Sequence, residues 1–198
     1  MQPQPAMPAS LMTCWYEGIT TPHRTAEGLQ QLAQLFDCKH ASLAVWGGRC
    51  DWGVLYQATY SQSGWKLTFD EHVLPSADQQ KLVSNINPGK WQILQARHHL
   101  KPVSIATQAM TQIESALGIR INNGKGCEAF LLIRKAGQSW HPTSAILQLA
   151  SEVVKSLQSA LELMMQLREL TSSALHLSTA FDCIRMPILM LNQAMHVL

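Results

Sequence analysis

Residues Thr143–Ile184 read TSAILQLASEVVKSLQSALELMMQLRELTSSALHLSTAFDCI, without a single glycine or proline. An ordinary globular helix runs for roughly 8 to 20 residues, so a helix over this whole stretch is a rod rather than one more packing element. Apolar residues recur at Ile146, Ala150, Val153, Leu157, Ala160, Met164 and Leu167, in alternating steps of four and three. That is the spacing of a heptad seam. A second apolar line, Leu147, Val154 and Leu161, runs beside it. The doubled stripe at the start predicts packing on the chain's own sheet. Beyond Leu161 the stripe narrows, and a second chain is expected to take over. Leu157, Met164 and Leu167 are the residues expected at that dimer contact, and a homodimer is the expected assembly.

Upstream the pattern is different. Leu11–Gly18 and Thr25–Phe36 carry apolar residues at helical spacing, with Thr25 as the expected N-cap of the second helix. Ala41–Trp46 is a short apolar run closed by Gly47-Gly48, which reads as a buried strand. Gly53–Tyr60 and Trp65–Val73 follow as strands joined by the loop Ser61-Gln62-Ser63-Gly64. Three strands in a meander require an antiparallel sheet. Ser76–Asn85 reads as a short helix with Ser76 as N-cap, Trp91–Leu94 as a strand and His98–Pro102 as loop. Ser104–Leu117 is expected to be a helix stopped by Gly118. Asn122–Gly126 is a turn, and Cys127–Arg134 is the most strand-like segment of the chain. After Pro187, Ile188–Leu191 reads as a strand, Asn192–Ala194 as a turn and Met195–Leu198 as the start of another strand. Two strands make no stable sheet alone, which predicts that the chain ends inside a further domain.

The expected architecture is therefore α/β of the α+β kind: a flexible tail at 1–10, a sheet domain with flanking helices over 11–142, a long helix over 143–184, and the opening of another domain at 185–198.

Composition narrows the function. Of 198 residues, 46% are hydrophobic and 14% charged, with a net charge of +2 when histidines are neutral. A chain of this balance has the apolar content for a packed core, and it lacks the clustered lysines and arginines of a nucleic-acid surface. Any DNA contact is expected to come from a domain outside this chain. The N-terminus has neither the basic start nor the apolar core of a signal peptide. The longest strictly apolar run, Ala129–Ile133, is far shorter than a membrane span. A cytoplasmic location with no membrane contact is expected. The five cysteines, Cys14, Cys38, Cys50, Cys127 and Cys183, form no C-x-x-C pair; an odd, scattered set reads as reduced thiols rather than a disulfide framework.

Read in order, these pieces resemble the N-terminal sensory region of a subset of LuxR-type bacterial transcriptional regulators. The opening of the resemblance is Trp15-Tyr16-Glu17-Gly18, then Leu29–Phe36, then Ala41–Trp46. Its closing part is Leu117-Gly118-Ile119, Ala129–Arg134 and Trp140-His141-Pro142-Thr143 leading into the long helix. Met186–Gln193 is similar to the first strand and turn of a PAS-like unit. The resemblance implies a GAF-like sensor domain, a signalling helix, and a PAS-like unit placed before a C-terminal helix-turn-helix. It implies no particular functional residue.

Candidate sites come from the residues themselves. Trp46, Tyr56, Tyr60 and Trp65 stand on the central strands, with Tyr56 and Tyr60 on one strand face beside Val54 and Ala58. Apolar pockets lined with a few polar groups are the usual small-ligand sites, so these four are the expected pocket residues for a small molecule of unknown identity; core packing is the competing explanation. His98-His99 is poorly arranged for chelation, because adjacent residues diverge on a strand or a helix. Cys38 and His40 share a strand face, but two ligands do not make a zinc site. Gly124-Lys125-Gly126 lacks phosphate-loop spacing. Cys127 has no histidine at a recognisable spacing to serve as its base. No metal, cofactor or catalytic residue is expected, and the chain reads as a sensor rather than an enzyme. The alternatives are the same fold as input to a histidine kinase or cyclic-nucleotide enzyme, and a small cysteine-dependent redox enzyme.

Overall fold

The computed structural model describes residues 7–47, 52–74, 77–95, 115–122, 127–135 and 142–183. The expected helix cap at Ser76, the loop His98–Pro102, positions 104–114 of the expected helix, most of the turn after Asn122, and the strands expected beyond Pro187 lie outside these residues. The elements are α1 (Ala9–Glu17), α2 (Pro22–Leu35), β1 (His40–Gly47), β2 (Gly53–Ser61), β3 (Gly64–Glu71), α3 (Ala77–Ser84), β4 (Gln92–Gln95), β5 (Ser115–Asn122), β6 (Cys127–Lys135) and α4 (Ser144–Cys183). The strands form one six-stranded sheet in the order β3-β2-β1-β6-β5-β4, with every neighbouring pair antiparallel. An antiparallel sheet with flanking helices, followed by a long C-terminal helix, is the expected architecture. The chain divides into two compact units, Met1–Glu162 and Leu163–Leu198. The boundary falls inside α4, so the first turns of the rod belong to the sheet's own unit.

The register sorts the side chains into two faces, because directly opposed residues of antiparallel strands point the same way. On one face stand Ala41, Leu43 and Val45 of β1, Ala129, Leu131 and Ile133 of β6, and Leu117, Ile119 and Ile121 of β5, all almost completely buried. Helix α2 contacts β1, β2 and β3 and buries Ala26, Leu29, Leu32 and Ala33. Trp15 of α1 packs so tightly on α2 that a Cβ at Gly28 would stand 2.9 Å from its ring. Within the sheet's unit, α4 adds Leu149, Ala150, Val153, Val154, Leu157, Ala160 and Leu161 to the buried set. On the opposite face Trp46, Ala116, Phe130, Leu132 and Leu94 form a separate cluster with Val83 of α3 and Ile86 just beyond it.

Local chemistry explains the boundaries. Thr143 begins α4 as expected: its hydroxyl accepts the backbone N–H of Ile146 at 3.3 Å, an N-cap bond. The end of α2 is a Schellman motif. The N–H of Cys38 reaches the Ala33 carbonyl at 2.7 Å and that of Asp37 the Gln34 carbonyl at 3.0 Å, with Asp37 at φ 50°. That turn delivers the chain into β1.

Two expectations are corrected. Thr25 is not an N-cap: α2 starts at Pro22, whose fixed φ suits the first helical position, and Thr25 is buried inside the helix. Its hydroxyl occupies the space that a side chain at Gly18 would need. Gly118 is not a helix stop either. It lies in the middle of β5, paired with Leu132 and Gln92. A Cβ there would stand 2.9 Å from Leu94 Cδ1 and 3.0 Å from Phe130 Cζ, so the missing side chain is what lets those two residues close over the strand.

Candidate functional site

The α3 side of the sheet is the chemically mixed side. Along β1 the residues facing it are His40, Ser42, Ala44 and Trp46. Opposite them on β6 stand Arg134, Leu132, Phe130 and Glu128, and on β2 Thr59, Gln57, Leu55 and Gly53. Polar and apolar residues mix along the whole face: Leu94 and Ala116 share the row of His40 and Arg134, Leu132 stands opposite Ser42, and Phe130 opposite Ala44. Beside Trp46 lies an ion pair: the guanidinium of Arg120 on β5 donates to both Glu128 carboxylate oxygens at 2.7 and 2.8 Å, and the Asn122 amide donates to the same carboxylate at 2.8 Å. This bidentate arrangement ties β5 to β6.

His40 is the unusual residue. It is 8% exposed, at the centre of the sheet between Thr59 and Arg134. Its Nδ1 is 2.8 Å from the Thr59 hydroxyl, and its Nε2 is buried with no hydrogen-bond partner among the described residues. Burial, and then the neighbouring Arg134 charge, hold the imidazole down at about 3, so the ring is neutral at physiological pH. Burial also pulls Arg134 down to about 10, which leaves it cationic at neutral pH. Ser42, one step along the same face, is equally buried. A buried polar atom without a partner costs about 1–3 kcal/mol.

The four aromatic residues expected to line one pocket are divided by the sheet. Trp46 faces α3 and belongs to the cluster around Phe130. Tyr56, Tyr60 and Trp65 stand on the opposite face, in register with Leu43 and with one another across β1, β2 and β3. There Tyr56 packs on Phe69 with ring centroids 5.2 Å apart, and Tyr60 on Trp65 at 5.4 Å. They do not share a pocket with Trp46. His40 and Ser42 were the residues to find. Their signal was the alternation of His40 and Ser42 with Ala41, Leu43 and Val45, which places polar side chains on one face of a strand expected to be buried.

Of the helix residues expected at a dimer contact, Leu157 is 2% exposed within the single chain and so serves its own core. Met164 is half-buried, and Leu167 is 40% exposed.

Cys14, Cys38 and Cys127 are buried thiols. Burial pushes the Cys38 thiol up to about 12 and raises Cys14 as well. A thiol kept protonated is a poor nucleophile, and burial shields Cys127 from reagent, so in native protein at pH 8 these three are expected to react with a disulfide reagent only on unfolding. Rapid stoichiometric labelling of any of them, read by peptide mass mapping, would restore the redox alternative. Among the described residues no group of three or more His, Cys, Asp and Glu side chains is placed to hold a metal ion, and no helix is long and apolar enough to cross a membrane.

No protein-family model and no curated protein matches the sequence. Among solved structures, the chain is similar to the phycocyanobilin-bound GAF domain of a cyanobacterial phytochrome, with 12% identity over 76% of this chain and 93% of that one and a TM-score of 0.49. It is similar to Escherichia coli SdiA, with 17% identity over 78% of this chain and 68% of that one and a TM-score of 0.39. It is also similar to CepR2, an N-acylhomoserine lactone-dependent LuxR family transcription factor from Burkholderia cenocepacia, with 11% identity over 80% of this chain and 96% of that one and a TM-score of 0.36.

Proposed function

We propose that this chain is a small-molecule-sensing domain of GAF-like kind, that it carries no catalytic activity of its own, and that it regulates an output domain through α4. The finer form of the proposal is a LuxR-type bacterial transcriptional regulator, with DNA bound through a further C-terminal domain. The observation that carries the sensing role is the buried, neutral His40 with one ring nitrogen unpartnered among the described residues, set on a sheet face that mixes apolar side chains with a few polar ones. That combination matches the usual small-molecule site: apolar walls and a few fixed polar groups that orient the ligand. A ligand that hydrogen-bonds to Nε2 removes the cost of the orphaned atom. It shifts the protein between states only to the extent that it binds them with different affinity.

A thermal-shift screen of small organic molecules tests this. At least one compound is expected to raise the wild-type melting temperature and to lose at least tenfold in affinity against His40→Gln, with tryptophan fluorescence reporting the binding. Hits that bind wild type and His40→Gln equally, or a screen without hits, would count against the site. The kind of output that α4 serves is tested separately, by assaying the full-length protein for DNA binding against kinase or cyclase activity.

A further inference from the structure

We propose that the small molecule bound on the His40 face is an organic acid, its carboxylate held by the Arg134 guanidinium and by His40 Nε2. The inference rests on the sensing role proposed above for that face and names the class of ligand. The strand register carries it. Across β3, β2 and β1 one row reads Lys66, Thr59, His40 and the next reads Thr68, Gln57, Ser42, so every position in both is polar. The Thr68 hydroxyl donates to Gln57 at 3.4 Å. Arg134 on β6 stands directly opposite His40. Lys66 is exposed and lies two strand spacings from His40, about 10 Å. Followed across all six strands, the two rows hold two cations and no carboxylate. The acids of this face lie elsewhere. Asp70 is four residues along β3 from Lys66, about 14 Å away, and Glu128 is bonded to Arg120 and Asn122.

Charge and hydrogen bonding select the ligand together. Cations of one sign lining a recess draw anions and repel amines. A guanidinium has five N–H donors in a planar fork, enough to serve a ligand beside any protein partner. A carboxylate only accepts hydrogen bonds, so it takes the neutral imidazole as its Nε2–H tautomer. Nδ1 is then the acceptor, and the Thr59 hydroxyl 2.8 Å away donates to it. Because His40 is neutral, the Arg134–His40 pair carries one positive charge. A carboxylate balances it, whereas a phosphate dianion exceeds it.

Matched acids and amides test the proposal. Tryptophan fluorescence of the full chain is titrated with acetate, hexanoate, octanoate, benzoate and phenylacetate, each beside its own primary amide. At least one carboxylate is expected to bind about tenfold or more tightly than its amide. Arg134→Gln is expected to bring that acid and its amide level, and His40→Gln to weaken the acid about tenfold or more. Nitrogen-15 shifts of the His40 ring are expected to report the Nε2–H tautomer in the complex. Should Arg134→Gln fail to fold, the acid-to-amide ratio on wild type decides alone. An amide that binds as tightly as its acid, with both depending on His40, overturns the acid assignment and leaves the sensing role standing. Carboxylate binding indifferent to both substitutions overturns it as adventitious. Silence from every acid overturns it too, and neutral compounds from the thermal-shift screen that depend on His40 would then still support the sensing role.

Discussion

Taking the protein from pH 7.5 to pH 5 is expected to cost the wild type about 2 kcal/mol of folding stability that a His40→Gln variant does not lose. The folded-state imidazole is held at about 3 against an ordinary 6.5. Between those values the unfolded chain takes up a proton that the folded protein refuses, so lowering the pH favours unfolding. The contribution is fully present above 6.5, falls away as the pH drops through the window towards 3, and changes no further below it. The whole window corresponds to about 5 kcal/mol. The groups responsible are the surrounding buried face and the Arg134 guanidinium; Thr59 bonds the ring through its hydroxyl without adding charge. Urea denaturation at several pH values, compared between wild type and His40→Gln, measures the difference directly and cancels the titration of the other histidines. Parallel curves would show that His40 is hydrated or charged in the folded protein.

Trp46→Ala is expected to destabilise the protein by about 3–5 kcal/mol, the usual cost of truncating a buried tryptophan. Trp46 is 6% exposed and belongs to the buried cluster that includes Phe130, Val83 and Ile86. Removing it takes a large side chain out of that cluster and leaves a cavity where β1 meets β6. Trp46→Phe keeps most of the contact and is expected to cost far less. Tyr60→Ala, on the other face at 47% exposure, is expected to cost under about 1 kcal/mol, in the range of ordinary surface changes. Denaturation midpoints of the three variants separate a packing role for Trp46 from a role confined to lining a ligand site. A Trp46→Ala protein as stable as wild type would mean that α3 is not held down by this cluster.

Much of the fold was legible because its signals are local. The hairpin from β2 to β3 is marked by its serine-glycine loop, β6 by its apolar run, and α4 by the long stretch from Thr143 without glycine or proline. What the sequence obscured depends on contacts distant along the chain. Gly118 resembles a helix stop because the reason for its missing side chain is the approach of Leu94 and Phe130 from neighbouring strands. Thr25 resembles a cap because the packing of Gly18 against it cannot be read from periodicity. Spacing put Tyr56 and Tyr60 on one strand face, but only the register across three strands shows that Trp46 stands on the other. In α4 the heptad line was visible, whereas which stretch of it the sheet's own unit consumes was not; Leu157 therefore looked available to a partner.

The sensing reading stands or falls on which face of the sheet a ligand touches. Backbone amide shifts of the nitrogen-15-labelled protein, titrated with the compounds that raise its melting temperature, decide this. Shifts concentrated at His40, Ser42, Thr59 and Leu132 are the expected result. Shifts concentrated at Tyr56, Tyr60 and Trp65, with His40 and Ser42 unmoved, would contradict it.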